Sequence, residues 1–307
     1  MFKLRHNLAC CWINLEYWII LPLISCLPSR VAFFLFKLRG IVQYKLDFEW
    51  KTYTLQTPFM RAQTQDVIRQ LVPQADPKAI QQLVKNRFIH ESWDEYLNYL
   101  LPRPEMVSIL DQVQIESLSE LKTVNENNPI VFVSIHYDAF CLGLTALGYH
   151  GLNMNVVNTQ GIENKEIPSA VRGYYQSKYR NMERLMCGKM PYVEQSKKPF
   201  YVALNNGNCI GLMGDIPGNK STVYIDFLGK SLRLPLGAWK FARETGAQLS
   251  AVVCIREKGH QYCVYTLSPY LPTEDPLESM RPIYKFLEKW IIDNPDRWTS
   301  SYLLQGY

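Results

Sequence analysis

The sequence lacks most of the short signatures that announce a chemistry. Its eight cysteines are scattered. No two stand as Cys-x-x-Cys, no His/Cys cluster has zinc spacing, and the adjacent Cys10 and Cys11 suit neither a disulfide nor a ligand pair. The pattern predicts a reducing compartment, no metal and no other cofactor. There is no G-x-S-x-G nucleophile elbow, no GxxxxGK[ST] loop and no GxGxxG after a strand, so the serine hydrolases, P-loop enzymes and dinucleotide enzymes are set aside. No long basic run accompanies the net charge of +5, which argues against a nucleic-acid partner. Internal repeats, low-complexity tracts and Gly/Ser linkers are absent too.

What is present is a chain of 307 residues, 47% hydrophobic and 20% charged, long enough for one large α/β domain or two small ones. Its N-terminal stretch CCWINLEYWIILPLISCLPSRVAFFLFKLRG is rich in Trp, Phe, Ile and Leu. Glu16, Arg30, Pro22 and Pro28 interrupt it, so it does not read as a clean spanning helix, which wants about 20 uninterrupted apolar residues. No small-residue cleavage site marks it as a signal peptide. Lys3, Arg5, Arg30, Lys37 and Arg39 flank the apolar pieces, as in segments that lie in an anionic membrane interface. The alternative is a pair of buried helices in an ordinary core.

The remainder alternates. Apolar spacing near 3.6 predicts helices between about 59 and 103, with Asp76 capping a helix that Pro77 opens. Residues 104–128 read as a link. A strand at 130–135 follows, then a helix at 139–149, a strand at 153–158 and helices at 167–186 and 198–205. The strand CIGLMGD and the segment TVYIDFLG lead to a helix at 235–245, opened by Pro235 and closed by Gly246. Strands LSAVVCIRE and QYCVYTLS and a helix at 277–293 precede an aromatic tail. This order predicts an α/β fold with a mixed, partly parallel sheet flanked by helices. It gives a membrane-associated helical segment over 1–45, and an α/β domain over 46–307 with a helical cover at about 59–103.

In such sheets sites collect at the carboxyl ends of strands. His136 stands at the end of the apolar run PIVFVSIH, and Asp138 follows it. In an extended segment the two point to one face, about 6.5–7 Å apart along the chain. A slight bend would let the carboxylate fix the imidazole tautomer and leave the other nitrogen as a general base. Asp138 also reads as the N-cap of the helix at 139. Asp215 ends a second apolar strand, followed by the turn IPGNK; two strands ending in His and Asp point to convergence of the two on one cleft, and the alternative reading of Asp215 is turn chemistry. Cys141 reads as buried packing rather than as a nucleophile.

The block GDIPGNKSTVYIDFLGKSLRLPLGAWKFARETGAQLSAVVC, with ALNNGNCIGLMGD running into it, resembles the corresponding part of the bacterial late lipid A (lauroyl/myristoyl) acyltransferases. There a strand ends in Asp, a turn and a Phe-x-Gly-like element follow, then a Pro-Leu-Gly-like helix start and A-R-x-T-G-A. The resemblance is specific from Gly207 to Ala247 and loose elsewhere, and LPLISCLPSRVAFFLFKLRG falls where that family has its membrane-associated entry. It implies an acyltransferase at the cytoplasmic face of the bacterial inner membrane, peripheral or monotopic. Its donor would be an acyl carrier protein or coenzyme A thioester, and its acceptor the hydroxyl or amine of a membrane lipid.

The family signature is a catalytic His with Asp or Glu five positions later. His136 matches, but position 141 is Cys, and Asp138 is the nearest carboxylate able to substitute. The family's Arg in the helix before the Asp strand falls at Arg184 or Arg180, for an oxyanion or a phosphate, and Asp215 would organise the acceptor side. The rival readings are a non-catalytic lipid-binding protein, with Cys141 as its main support, and an acyltransferase acting on an aminolipid or peptide.

Overall fold

The computed structural model describes residues 2–54, 59–216, 221–257 and 261–301. Most of the IPGNK turn and the aromatic tail therefore lie outside the described residues. By compactness the chain divides into a helical unit, Met1–Val107 with Gln160–Asn181, and a sheet unit, Ser108–Thr159 with Met182–Tyr307.

In the helical unit the helices Ser29–Leu46 and Pro77–Leu100 pack along one another. Asp76 accepts from the amides of Lys78 and Ala79, and Pro77 occupies the first turn where no amide partner is needed. Glu16 and Arg39 do not break the apolar stretch at random. The Arg39 guanidinium donates to Glu16, Glu95 and Ser92, so both charges turn inward and neutralise one another. The outward face is apolar. Trp12, Leu15, Ile19 and Leu23 are exposed at helical spacing, as are Val31, Phe34, Leu38 and Val42 on the next long helix. Such stripes normally face a core, and here they face outward. Residues Asn7–Ser25 form one helical run long and apolar enough to cross a membrane by length and composition.

In the sheet unit the strands are β1 (Gln114–Ile115), β2 (Ile130–Ser134), β3 (Met154–Val156), β4 (Cys209–Met213), β5 (Thr222–Phe227), β6 (Lys230–Pro235), β7 (Gln248–Arg256) and β8 (Tyr262–Thr266). Six of them form one sheet in the order β1-β8-β7-β2-β4-β3, parallel except between β7 and β8. All five residues of β2 are buried, as expected for a central parallel strand covered on both faces. The α/β architecture with a mostly parallel sheet is thus the one that the alternating pattern predicts.

Two local readings change. Pro235 does not open a helix; it ends β6, which pairs antiparallel with β5 as a separate hairpin, and the helix Gly237–Thr245 begins beyond it. An edge position tolerates a proline that has no amide to donate. Gly246 does close that helix, in the left-handed conformation at φ 72°. Residues 104–128 are more than a link: they hold the helices Pro104–Gln112 and Leu118–Asn127, with β1 between them.

Candidate active site

Sheet register makes the site. β2 and β4 are parallel neighbours with Ser134 opposite Met213, so the residues two places further on, His136 and Asp215, leave the same edge side by side. The continuation of β4 is held tightly. Gly214 donates its amide to the Ser134 carbonyl at 2.7 Å, and its own carbonyl accepts from the Tyr284 hydroxyl at 3.1 Å. A Cβ at Gly214 would come within 2.7 Å of Val133 Cγ1, so a larger residue would push the strand end aside.

The Asp215 carboxylate grips the histidine at two points. Oδ2 accepts the His136 backbone amide at 3.0 Å, and Oδ1 lies 2.9 Å from the ring nitrogen Nδ1. Asp215 is 1% exposed, whereas the His136 side chain is 23% exposed. Burial pushes the Asp215 carboxyl up, but the His136 imidazole and its hydrogen bonds, with one from Trp298, outweigh burial and hold it below the ordinary carboxylate range. An ionised Asp215 keeps the proton on Nδ1, which leaves the lone pair on Nε2 of the more exposed ring free to accept one. The Phe140 ring meets the imidazole edge to face at 4.8 Å between centroids.

Asp138 is placed differently from the sequence expectation. The chain does not stay extended past Ile135: the Tyr137 amide bonds back to the Ile135 carbonyl at 2.7 Å, and Asp138 is left-handed at φ 46°. The same-face geometry of an extended segment therefore does not apply. The Asp138 carboxylate accepts from the Arg256 amide at 3.0 Å and from Arg297 Nη1 at 2.8 Å. Nor does it cap the next helix, whose N-cap position is Ala139, with no side-chain cap. Cys141 is buried in the helix Phe140–Leu147, as its packing reading requires.

Arg180 and Arg184 lie exposed on the helix Ser169–Leu185, Arg180 in the helical unit and Arg184 in the sheet unit. Among the described residues no group of three His, Cys, Asp or Glu side chains is arranged to hold a metal ion. The sequence reading missed the partners contributed by Arg297, Trp298 and Thr299. They lie in and just after the short 3-10 turn Pro295–Arg297 beyond the helix Pro276–Asp293, where no periodicity points them at a strand edge some 160 residues away.

A partly exposed imidazole backed by a buried carboxylate is an arrangement for removing a proton from a bound hydroxyl or amine. Comparison with known proteins agrees with the chemistry of acyl transfer. No curated protein matches the chain. The model of the bacterial lipid A biosynthesis acyltransferases matches residues 82–302, which include every strand of the sheet and both members of the His–Asp pair. A match over that much of the sequence shows that the chain belongs to the bacterial lipid A biosynthesis acyltransferase family.

Proposed function

We propose that the protein transfers a fatty acyl chain directly from an acyl carrier protein or coenzyme A thioester to a hydroxyl or amine of a membrane lipid, with His136 as general base and Asp215 as its orienting carboxylate. The observation that carries this reading is the 2.9 Å contact between His136 Nδ1 and Asp215 Oδ1. It supplies from a neighbouring strand the acid that Cys141 does not supply five residues after the histidine.

Nε2 of His136 takes the acceptor proton as the acceptor oxygen or nitrogen attacks the thioester carbonyl carbon. The tetrahedral intermediate then collapses with cleavage of the C–S bond, and the departing thiolate takes the proton back from the imidazolium. Asp215 stays ionised throughout and stabilises the imidazolium while it exists. No acyl-enzyme forms, in keeping with the burial of Cys141. Arg184 or Arg180 would serve the acceptor's phosphates or the oxyanion. The outward apolar stripes of the N-terminal helices, with basic residues at their flanks, would hold the protein at the cytoplasmic face of the inner membrane, where such an acceptor is found.

The test is turnover by the purified protein in detergent, read as thiol release together with acylated lipid. Acyl carrier protein and coenzyme A donors are offered in turn, with a lipid hydroxyl and an aminolipid acceptor. Wild type should exceed His136→Ala by roughly 10²–10⁴-fold, the usual worth of a general base. Wild type no faster than His136→Ala with every donor and acceptor would leave a lipid-binding protein without catalysis.

A further inference from the structure

The segment Arg297–Thr299 touches the histidine turn three times in succession. The Arg297 carbonyl accepts the Asp138 amide at 2.8 Å, while its guanidinium meets the Asp138 carboxylate. The Trp298 indole Nε1 donates to Asp215 Oδ2 at 2.9 Å. Both the amide and the hydroxyl of Thr299 donate to the His136 carbonyl at 2.9 Å. Trp298 also forms an antiparallel bridge with Tyr137, and it is among the largest fully buried side chains.

From these contacts we infer that Trp298 is a positioning residue for the site: its indole N–H fixes the Asp215 carboxylate, and through it the orientation and tautomer of the His136 ring. This rests on the reading of His136 as the base. A tryptophan that only filled space would have no need of this geometry. Asp215 is almost wholly buried and carries a charge, so it needs several donors. Among the described residues two come from His136 itself, and a third is the indole, which anchors the carboxylate to something other than the group it must orient. The Phe227 ring packs edge-on to Trp298, at 6.5 Å between centroids, and to Tyr284, at 5.4 Å, so the indole is itself held in place. The charged group facing the imidazole is Asp215, while Asp138, Arg297 and the Arg256 amide satisfy one another alongside.

Trp298→Phe keeps a ring and removes the donor. The chain has five histidines, few enough for the His136 ring to be assigned by comparison with His136→Ala in nitrogen-resolved NMR. Without the indole the Asp215 carboxylate loses an anchor and can turn away from Nδ1, so the Nδ1–H tautomer of the His136 ring should be less uniquely populated. Turnover should show kcat down about tenfold with the thioester KM unchanged. Incorporation of 3-benzothienylalanine at position 298 keeps the indole shape and removes only the N–H, so it reads the same quantity if Trp298→Phe does not fold.

A His136 ring with the wild-type tautomer population in either folded variant overturns the inference. The tautomer is read without turnover, so it judges Trp298 even if His136→Ala proves fully active and the base reading falls.

Discussion

Each unit of the protein buries charge, and the two do it to different ends. In the helical unit Arg87 is fully buried and Nη1 meets Glu49 at 2.6 Å and Glu91 at 2.8 Å. Burial, with Glu91 adding to it, pushes the Glu49 carboxyl up to about 7 in spite of Arg87. In the sheet unit Asp215 is buried as deeply but ends below its ordinary range, because His136 and Trp298 donate to it. The first cluster turns its charges on one another. The second ends in an imidazole that is partly exposed. A buried carboxylate is therefore not in itself a sign of function; an open position at the end of the network is.

The strongest way to break this contrast is Asp215→Asn. An amide cannot stabilise the imidazolium, so thioester turnover should fall by about 10²–10⁴-fold, measured on protein whose circular dichroism is that of wild type. Arg87→Met should do the reverse. It leaves two carboxylates without their buried cation and should cost about 3–5 kcal/mol in denaturant melts, with turnover of the folded protein preserved.

Asp138→Asn falls between the two clusters. Its carboxylate holds Arg297 and the Arg256 amide rather than the His136 ring, so stability should drop by about 1–3 kcal/mol and turnover by far less than in Asp215→Asn. A loss of turnover equal to that of Asp215→Asn would return Asp138 to the catalytic pair.

The smallest effect sharpens the comparison through pH. A carboxyl raised in the folded state, such as Glu49, binds its proton more tightly folded than unfolded. Its contribution favours folding at low pH and is lost as pH rises from about 4.5 to about 7. Asp215, whose carboxyl is depressed, contributes stability above its unfolded value near 3.8 and loses it as pH falls through the folded value. Glu49→Gln should flatten the melt midpoint between pH 4.5 and 7 and leave the acid limb of stability in place.

Much of this was legible along the chain. The apolar runs ending at His136 and Asp215, the cap at Asp76 and the stop at Gly246 depend on nearest neighbours in sequence, and the structure keeps each of them. The reading failed where a local rule was carried past its element. Asp138 was paired with His136 on the assumption of extended backbone, but the chain turns at Ile135. Pro235 reads as a helix start, yet it closes a hairpin whose short second strand alternates, with Leu232 and Leu234 buried and Ser231 and Arg233 exposed.

Local patterns along the chain carry the family, the α/β class and the histidine at a strand end: the family block from Gly207 to Ala247, the alternation of strands and helices, and an apolar run that stops at His136. The pairing of that histidine with Asp215 rather than Asp138 belongs to the tertiary structure. It follows from β4 lying beside β2 in parallel register, and from a tryptophan after the last helix reaching back beneath that edge. Strand order and register are set by how buried faces pack across long stretches of chain, and no local spacing records them.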